Sequence, residues 1–457
     1  MSIVKILLQA QRIVSGWRGH GAGALGRAFL AVAVIGLAAC ASGGPYWIEL
    51  MPAPEVYDDE SINPFTDKDP IENIPYAGVL YATDRAPAEE GAKEHYYLNK
   101  RGHVLRLGTA QVALGDHPVT WEEARRISLL KNRADTYPLK VSEVEEFGIL
   151  DRSHTVFTKA ELTGPPSVEP ARRFVAKVNK KLAISKRKDV YVYVHGYKVV
   201  FENPVLVASE IWHFLGYEGV FVAYAWPATP SKWAYFSDLE TTTASARNFR
   251  LLLEFLAEET EAERIHIIGY SAGTRLVTRA LEQLALQHHD ETPTEVRRRL
   301  RIGNVILVGS DVDRQLFGTY LADGLLKVPR HLSIYVSNTD KALGLSRWLF
   351  TRDRLGQMWA EGTLTPVAAE YLWNTKNLSV INVTEAEGSA SGNGHAYFRK
   401  SPWGSSDILA TLLYDLGPDQ RGLERSQARP IWRFPPDYIE RLRSALLEAN
   451  PSWRQTP

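Results

Sequence analysis

From about Pro170 onward the chain repeats short apolar runs that show no polar alternation: Val190–Val194, Val220–Ala225, Ile265–Ile268, Val305–Val308, Leu332–Val336 and Leu378–Val383. A strand with one wet face alternates polar and apolar residues, whereas a strand that is apolar throughout needs cover on both faces. Helical patterns lie between the runs. Phe174, Val175, Val178 and Leu182 share one face of Arg172–Leu182. Asn203-Pro204 opens a further helix with proline at its first position, and Ser237-Asp238-Leu239-Glu240 is a capping box that starts a long helix through Leu256. Leu276, Val277, Ala280, Leu281 and Leu284 mark another helix, and the last, Asp437–Leu447, follows Pro435-Pro436. This alternation predicts an α/β protein with a mostly parallel central sheet and helices on both faces.

Ahead of that core lies a β-rich portion, 76–165. It holds strand candidates at Gly78–Thr83, Val104–Leu107 and Thr109–Leu114, and a helix at Thr120–Asn132 whose Thr120 and Glu123 are spaced as a capping box. Together the two portions are expected to form a single domain, 76–457, with its main core at 166–457. The 457 residues carry a formal net charge of +0, which gives no electrostatic reason to expect nucleic acid as a partner.

The N-terminus reads as an export signal. Lys5, Arg12, Arg18 and Arg27 precede any acidic residue, and the apolar run Phe29–Ala39 follows. At about ten residues that run is too short to span a bilayer and fits the apolar region of a signal peptide. It ends in Leu37-Ala38-Ala39-Cys40, which resembles the lipobox of bacterial lipoproteins, in which the cysteine is lipidated and begins the mature protein. Cys40 is the only cysteine, so the chain can form neither an internal disulfide nor a cysteine zinc site. These features predict a signal peptide at 1–39 and a lipid on Cys40. Residues 40–75, rich in Pro, Asp, Glu and Asn, are expected to form a flexible tether. Ala41 after the cysteine, rather than Asp, resembles the sorting pattern for the periplasmic face of the outer membrane.

Gly269-Tyr270-Ser271-Ala272-Gly273 is a Gly-x-Ser-x-Gly sequence. Short glycine-serine motifs are weak signals alone. Here an apolar strand runs into the motif and an amphipathic helix leaves it, which is the setting a nucleophile elbow requires. Ser271 is therefore the candidate nucleophile. The Ala272 N–H is one expected oxyanion donor, and the Tyr197 N–H, in His195-Gly196-Tyr197 after an earlier strand, is the other. His195 itself is a rival for the base but belongs to the loop expected to build the oxyanion hole. In the chain order serine, acid, histidine, the base falls to His395, in Gly392-Asn393-Gly394-His395 after the last core strand. His288 and His289 lie at a helix end, and His331 opens a strand at the edge away from the site. For the acid, strand order favours Asp340, after Val336-Ser337-Asn338-Thr339, over Asp313 and Asp311 in the preceding loop.

An ordered set of segments resembles a bacterial esterase/lipase-like α/β-hydrolase family of unknown function. It comprises Tyr81-Ala82-Thr83-Asp84-Arg85, His195-Gly196-Tyr197, Ala225-Trp226-Pro227, Tyr235 with Asp238, the elbow, Ser310-Asp311-Val312-Asp313, Ser337 to Leu343 and Gly394 to Phe398. The resemblance implies the α/β-hydrolase fold and a Ser-Asp-His triad but supplies no substrate. It departs at the elbow, where the family usually shows His-Ser-Met-Gly and this chain has Tyr270-Ser271-Ala272-Gly273.

The expected activity is hydrolysis of a carboxylic ester, small or lipid-like, through an acyl-enzyme, with no metal and no organic cofactor. A thioesterase, amidase or acyltransferase would use the same residues, and a non-catalytic envelope lipoprotein could keep the fold as a scaffold. Tyr197, Trp226, Trp233, Tyr235, Phe236, Trp348, Trp359 and Trp373 crowd the expected pocket loops. They are read first as core, and as an apolar cleft wall where they reach the site.

Overall fold

The computed structural model describes residues 46–450 except 59, 66–67, 77, 90–95, 164, 166, 231–234, 344–352, 358–364, 393 and 428. Cys40 and the whole 1–39 segment lie outside the described residues, as do Trp233, Trp348 and Trp359.

Among the described residues, twelve strands form one sheet: β1 Trp47–Glu49, β2 Val79–Pro87, β3 Tyr97–Leu114, β4 Pro138–Ile149, β5 Asp189–Val194, β6 Val220–Ala225, β7 Arg264–Tyr270, β8 Ile302–Val308, β9 His331–Val336, β10 Leu378–Asn382, β11 Glu424–Arg425 and β12 Trp432–Arg433. Their order is β1-β4-β3-β2-β6-β5-β7-β8-β9-β10-β12-β11, and every pair from β2 across to β12 is parallel. Only the two ends are antiparallel. Every residue of β5, β6 and β8 is buried, so the centre of the sheet is covered on both faces.

Among the described residues the helices are α1 Trp121–Ser128, α2 Glu169–Ile184, α3 Glu202–Phe214, α4 Tyr235–Glu259, α5 Gly273–Gln287, α6 Pro293–Leu300, α7 Arg314–Ala322, α8 Pro366–Asn374, α9 Tyr397–Lys400, α10 Pro402–Tyr414 and α11 Tyr438–Ala449. Among the described residues, no helix is long and apolar enough to cross a membrane.

Registers align the C-terminal ends of the central strands. Val194 pairs with Gly269, Tyr270 with Val308, Val308 with Tyr335, and Val336 with Asn382. The loops that leave β5, β7, β8, β9 and β10 therefore start from one edge of the sheet, where open α/β sheets carry their sites. Behind that edge, Asp407 of α10 is fully buried. It accepts from Arg421 at 2.7 and 3.1 Å, from the Tyr438 hydroxyl at 3.0 Å and from the Tyr335 hydroxyl.

Three expectations need correction. The described part of 46–75 is no tether, and the compact unit begins at Tyr46. β1 pairs with β4, and Leu50, Met51, Val56, Tyr57, Ile62, Phe65 and Ile74 are buried in the main core. The prolines between them stop regular structure without stopping burial, because apolar surface removed from water stabilises an irregular segment as it does a helix. The two strands expected at Val104–Leu107 and Thr109–Leu114 are one strand, β3. Gly108 marks a close approach rather than a break: a Cβ there would meet the Glu145 carbonyl and the Tyr81 ring, both at 2.4 Å. Finally, the helices expected to open at Asn203 and at Ser237 begin earlier, at Glu202 and Tyr235.

Candidate active site

The elbow joins β7 to α5. Ser271 has φ +53°, a left-handed conformation that costs a non-glycine residue energy and so needs support from around it. The Ser271 N–H donates to the Val308 carbonyl at 2.9 Å, while the Thr274 N–H and hydroxyl donate to the Ser271 carbonyl at 3.0 and 2.6 Å. The two motif glycines are unequal. A Cβ on Gly273 would lie 2.2 Å from the His195 carbonyl oxygen and 2.9 Å from that of Val194, so only glycine lets α5 start against the end of β5. A Cβ on Gly269 would meet nothing nearer than a Val277 methyl at 3.2 Å.

His395 lies in the loop between β10 and α9, beside both candidate partners. The Ser271 hydroxyl donates to His395 Nε2 at 2.7 Å, and His395 Nδ1–H donates to Asp340 Oδ2 at 2.6 Å. Asp340 Oδ1 accepts the Leu343 N–H at 3.0 Å, so both carboxylate oxygens have fixed roles. All three side chains are buried. The His395 loop reaches the Asp340 loop through Gly394, whose φ is +66° and whose Cβ would lie 2.4 Å from the Thr339 carbonyl oxygen. The Tyr270 ring packs beside the imidazole, its centroid 5.1 Å away, and against Phe398 at 4.8 Å.

The other candidate acids are engaged elsewhere. Asp313 caps α7, accepting the Leu316 N–H at 2.9 Å. Asp311 binds Arg275 Nε at 3.0 Å and lies 3.4 Å from Arg354 Nε. His195 faces backbone: Nδ1 lies 2.6 Å from the Gly196 carbonyl oxygen and Nε2 3.0 Å from that of Trp226. Its ring stacks on Trp226, which accounts for one of the aromatics as core rather than cleft. Burial, helped by the nearby Arg85 guanidinium, drives the His195 imidazole well below its usual range, so it stays neutral. His331 sits at the opposite end of β9 from Asp340 and bonds the Ser379 hydroxyl at 2.9 Å.

The loop expected to give the second oxyanion donor lies against the nucleophile. Ala272 is the N-cap residue of α5, and among the described residues no acceptor reaches its N–H. Tyr197 follows Gly196, where a Cβ would come 2.9 Å from Ser271 Cβ and 3.3 Å from its hydroxyl oxygen. Asp311 and Asp238 add to burial in raising the Tyr197 phenol above its ordinary value.

Three supporting groups have no role assigned from the sequence, although Arg85 and Tyr397 lie in segments that carry the family resemblance. Gly309, with φ +54°, lies against the imidazole, where a Cβ would fall 2.9 Å from His395 Cε1. Tyr397 accepts the Gly309 N–H at 2.7 Å and donates to the Tyr335 carbonyl at 2.9 Å. Arg85, buried and held down to about 10 by that burial, donates to the Val199 carbonyl at 3.0 Å and so ties β2 to the loop after β5. The signals were a glycine directly after a buried strand and an arginine inside an apolar one, both ambiguous without the fold.

No curated protein and no solved structure matches the chain. The family described as alpha/beta hydrolase of unknown function (DUF900) matches residues 171–411. Tyr81-Ala82-Thr83-Asp84-Arg85 falls outside this stretch. The match runs from α2 into α10, includes Ser271, Asp340 and His395, and covers more than half of the 457 residues, so the chain belongs to this family of α/β hydrolases.

Proposed function

We propose that the protein is a serine hydrolase of carboxylic esters. The observation that carries this reading is the continuous hydrogen-bonded chain from the Ser271 hydroxyl through His395 to Asp340. Ser271 Oγ attacks the ester carbonyl carbon as its proton passes to His395 Nε2, and the carbonyl π pair moves onto oxygen. The Ala272 and Tyr197 N–H groups hold that oxyanion. When the C–O bond to the alcohol breaks, the Nε2 proton leaves with the alcohol and an acyl-serine remains. Water then repeats the sequence, releasing the carboxylic acid and restoring the hydroxyl. Asp340 keeps the Nδ1–H tautomer and stabilises the imidazolium formed in each half.

Labelling with a fluorophosphonate probe, alongside hydrolysis of 4-nitrophenyl butyrate, tests the reading. Wild type should be labelled and active, and Ser271→Ala, folded by circular dichroism, should show neither. Labelling that persists in the folded variant would move the nucleophile elsewhere. The same proposal includes export and lipid attachment at Cys40, supported by the lipobox-like Leu37-Ala38-Ala39-Cys40, which would put the enzyme at the envelope of a bacterial cell, on the periplasmic face of the outer membrane.

A further inference from the structure

His195 is held against Trp226 by one main-chain hydrogen bond and a ring stack. Trp226 Nε1–H donates to the His195 carbonyl at 2.7 Å, His195 Nε2 lies 3.0 Å from the Trp226 carbonyl oxygen, and the rings stack at 5.1 Å and 5°. The remaining ring nitrogen, Nδ1, meets the Gly196 carbonyl oxygen at 2.6 Å. Two carbonyls around one ring favour its protonated form, but burial and Arg85 outweigh them. A neutral ring donates once. The Trp226 carbonyl already accepts the Ala228 N–H at 2.8 Å, and Gly196 has the shorter contact, so the proton belongs on Nδ1. In either protonation state the Gly196 carbonyl is the partner of Nδ1.

That carbonyl belongs to the peptide whose other end is the Tyr197 N–H. No peptide bond in the described structure is cis, and in a planar trans peptide the C=O and N–H point in opposite directions. Holding the Gly196 oxygen toward the imidazole therefore turns the Tyr197 N–H away from it. Residue 196 has to be glycine because Ser271 lies against it. A glycine leaves the following peptide unusually free to rotate. The close approach that brings this loop to the nucleophile thus creates a freedom that would spoil a hydrogen-bond donor.

We infer that His195 is a positioning residue that fixes the direction of the Tyr197 N–H, and with it the second half of the oxyanion hole, by holding the Gly196 carbonyl through Nδ1–H. The inference rests on the esterase reading above. Arg85 anchors the next part of the same loop at Val199.

Asparagine and glutamine separate this role from general support. His195→Asn puts an amide N–H near the place of Nδ1, and His195→Gln puts one near the place of Nε2; both lose the stack on Trp226. With 4-nitrophenyl butyrate, His195→Asn should keep kcat within about threefold of wild type. His195→Gln should lose about ten- to a hundredfold, less than or comparable to removal of an oxyanion donor, with KM nearly unchanged. Affinity for a trifluoromethyl ketone, whose serine adduct carries the oxyanion, should fall with kcat in His195→Gln. Whatever inflection kcat/KM shows against pH in wild type should stay in place in both variants. Equal kcat in the two folded variants would overturn the inference, as would loss of the inflection in His195→Asn. If neither variant folds, Trp226→Phe keeps a stacking ring but removes its bond to the His195 carbonyl. It should lower kcat and inhibitor affinity together by a few-fold, and an unchanged inhibitor affinity would overturn the inference. Wild type and Ser271→Ala are measured alongside: no turnover in wild type defeats the esterase reading itself, and activity retained in Ser271→Ala moves the nucleophile elsewhere, whatever the His195 variants do.

Discussion

The Gly309 amide donates to the Tyr397 hydroxyl at 2.7 Å, binding the loop after β8 to the first residue of α9. The hydroxyl in turn donates a hydrogen bond to the Tyr335 carbonyl, so one phenol links β8, β9 and the segment carrying His395. Gly309 lies against that imidazole, beside its Cε1 and Nδ1 atoms. Tyr397→Phe leaves the buried amide without its acceptor, which should lower stability by about 1–3 kcal/mol. A shift of the imidazole should also lower kcat by about tenfold or more. Urea unfolding and steady-state kinetics on one preparation check both, and a variant equal to wild type in each would show that the phenol does not hold the ring.

The three aspartates should separate by role. Asp340→Asn should lower kcat by about 10⁴-fold, because the amide favours the wrong histidine tautomer. Asp313→Asn should resemble wild type, since asparagine caps a helix as well as aspartate does. Asp311→Asn should chiefly lower stability, by about 3 kcal/mol or more, because Arg275 and Arg354 lose a buried counter-charge. If Asp313→Asn were the inactive variant, the assignment of the acid would be wrong.

The unequal glycines of the elbow give a simple comparison. Gly273→Ala drives a methyl into the His195 and Val194 carbonyls and should leave little folded, active protein. Gly269→Ala meets only a valine methyl that can shift by a few tenths of an ångström, and should keep most of its activity. Expression, melting temperature and ester hydrolysis measured for the pair decide it; equal damage would mean that the motif glycines serve backbone freedom rather than close approach.

Besides His195, the buried His213 and the half-buried His331 make stability depend on pH. Burial, with a contribution from Arg133, pushes His213 down to about 3; burial, with Arg421 next, pushes His331 down to about 4. In the unfolded chain both return to the ordinary value near 6.5. Between those limits the unfolded state binds more protons, so stability rises with pH and is lost as pH falls below about 6.5. His331→Gln removes one such group and should reduce the fall between pH 7 and 4.5 by about 2–3 kcal/mol. Urea midpoints for both proteins at the two pH values test this, and identical falls would remove His331 from the account.

For the anchor, Cys40→Ser should abolish incorporation of labelled palmitate in the native host and release the protein from the membrane fraction. A wild-type protein that takes up no label and is recovered free of membranes would end the lipoprotein reading.

Much of the parallel core is legible in the sequence because uninterrupted apolar runs leave few alternatives; β6 spans Val220–Ala225 as read. The meeting of Ser271, Asp340 and His395 is legible for a related reason, since each follows such a run and parallel strands bring those ends to one edge. What the sequence hides depends on long-range contacts. β4 carries Lys140, Glu143, Glu145 and Glu146 and forms because β1 and β3 pair with it, not because its own pattern favours a strand. α10 is buried almost throughout, with Ser405, Ser406, Asp407 and Thr411 inward, so it has no amphipathic stripe to read. The described part of 46–75 reads as loose because its apolar residues are spaced irregularly, and an irregular segment shows its burial only once the surface it covers is known.

The sheet is bounded by β1, with three residues, and β11, with two. A wide parallel sheet that ended in full-length strands would expose rows of unpaired N–H and C=O groups, each a template for a strand from another molecule. Here β1 includes Glu49, and β11 consists of Glu424 and Arg425, with Glu424 carrying ion pairs to Arg433 and Arg441. Along those two stubs an incoming strand finds too little backbone to register against and charge to displace, which discourages edge-to-edge pairing there.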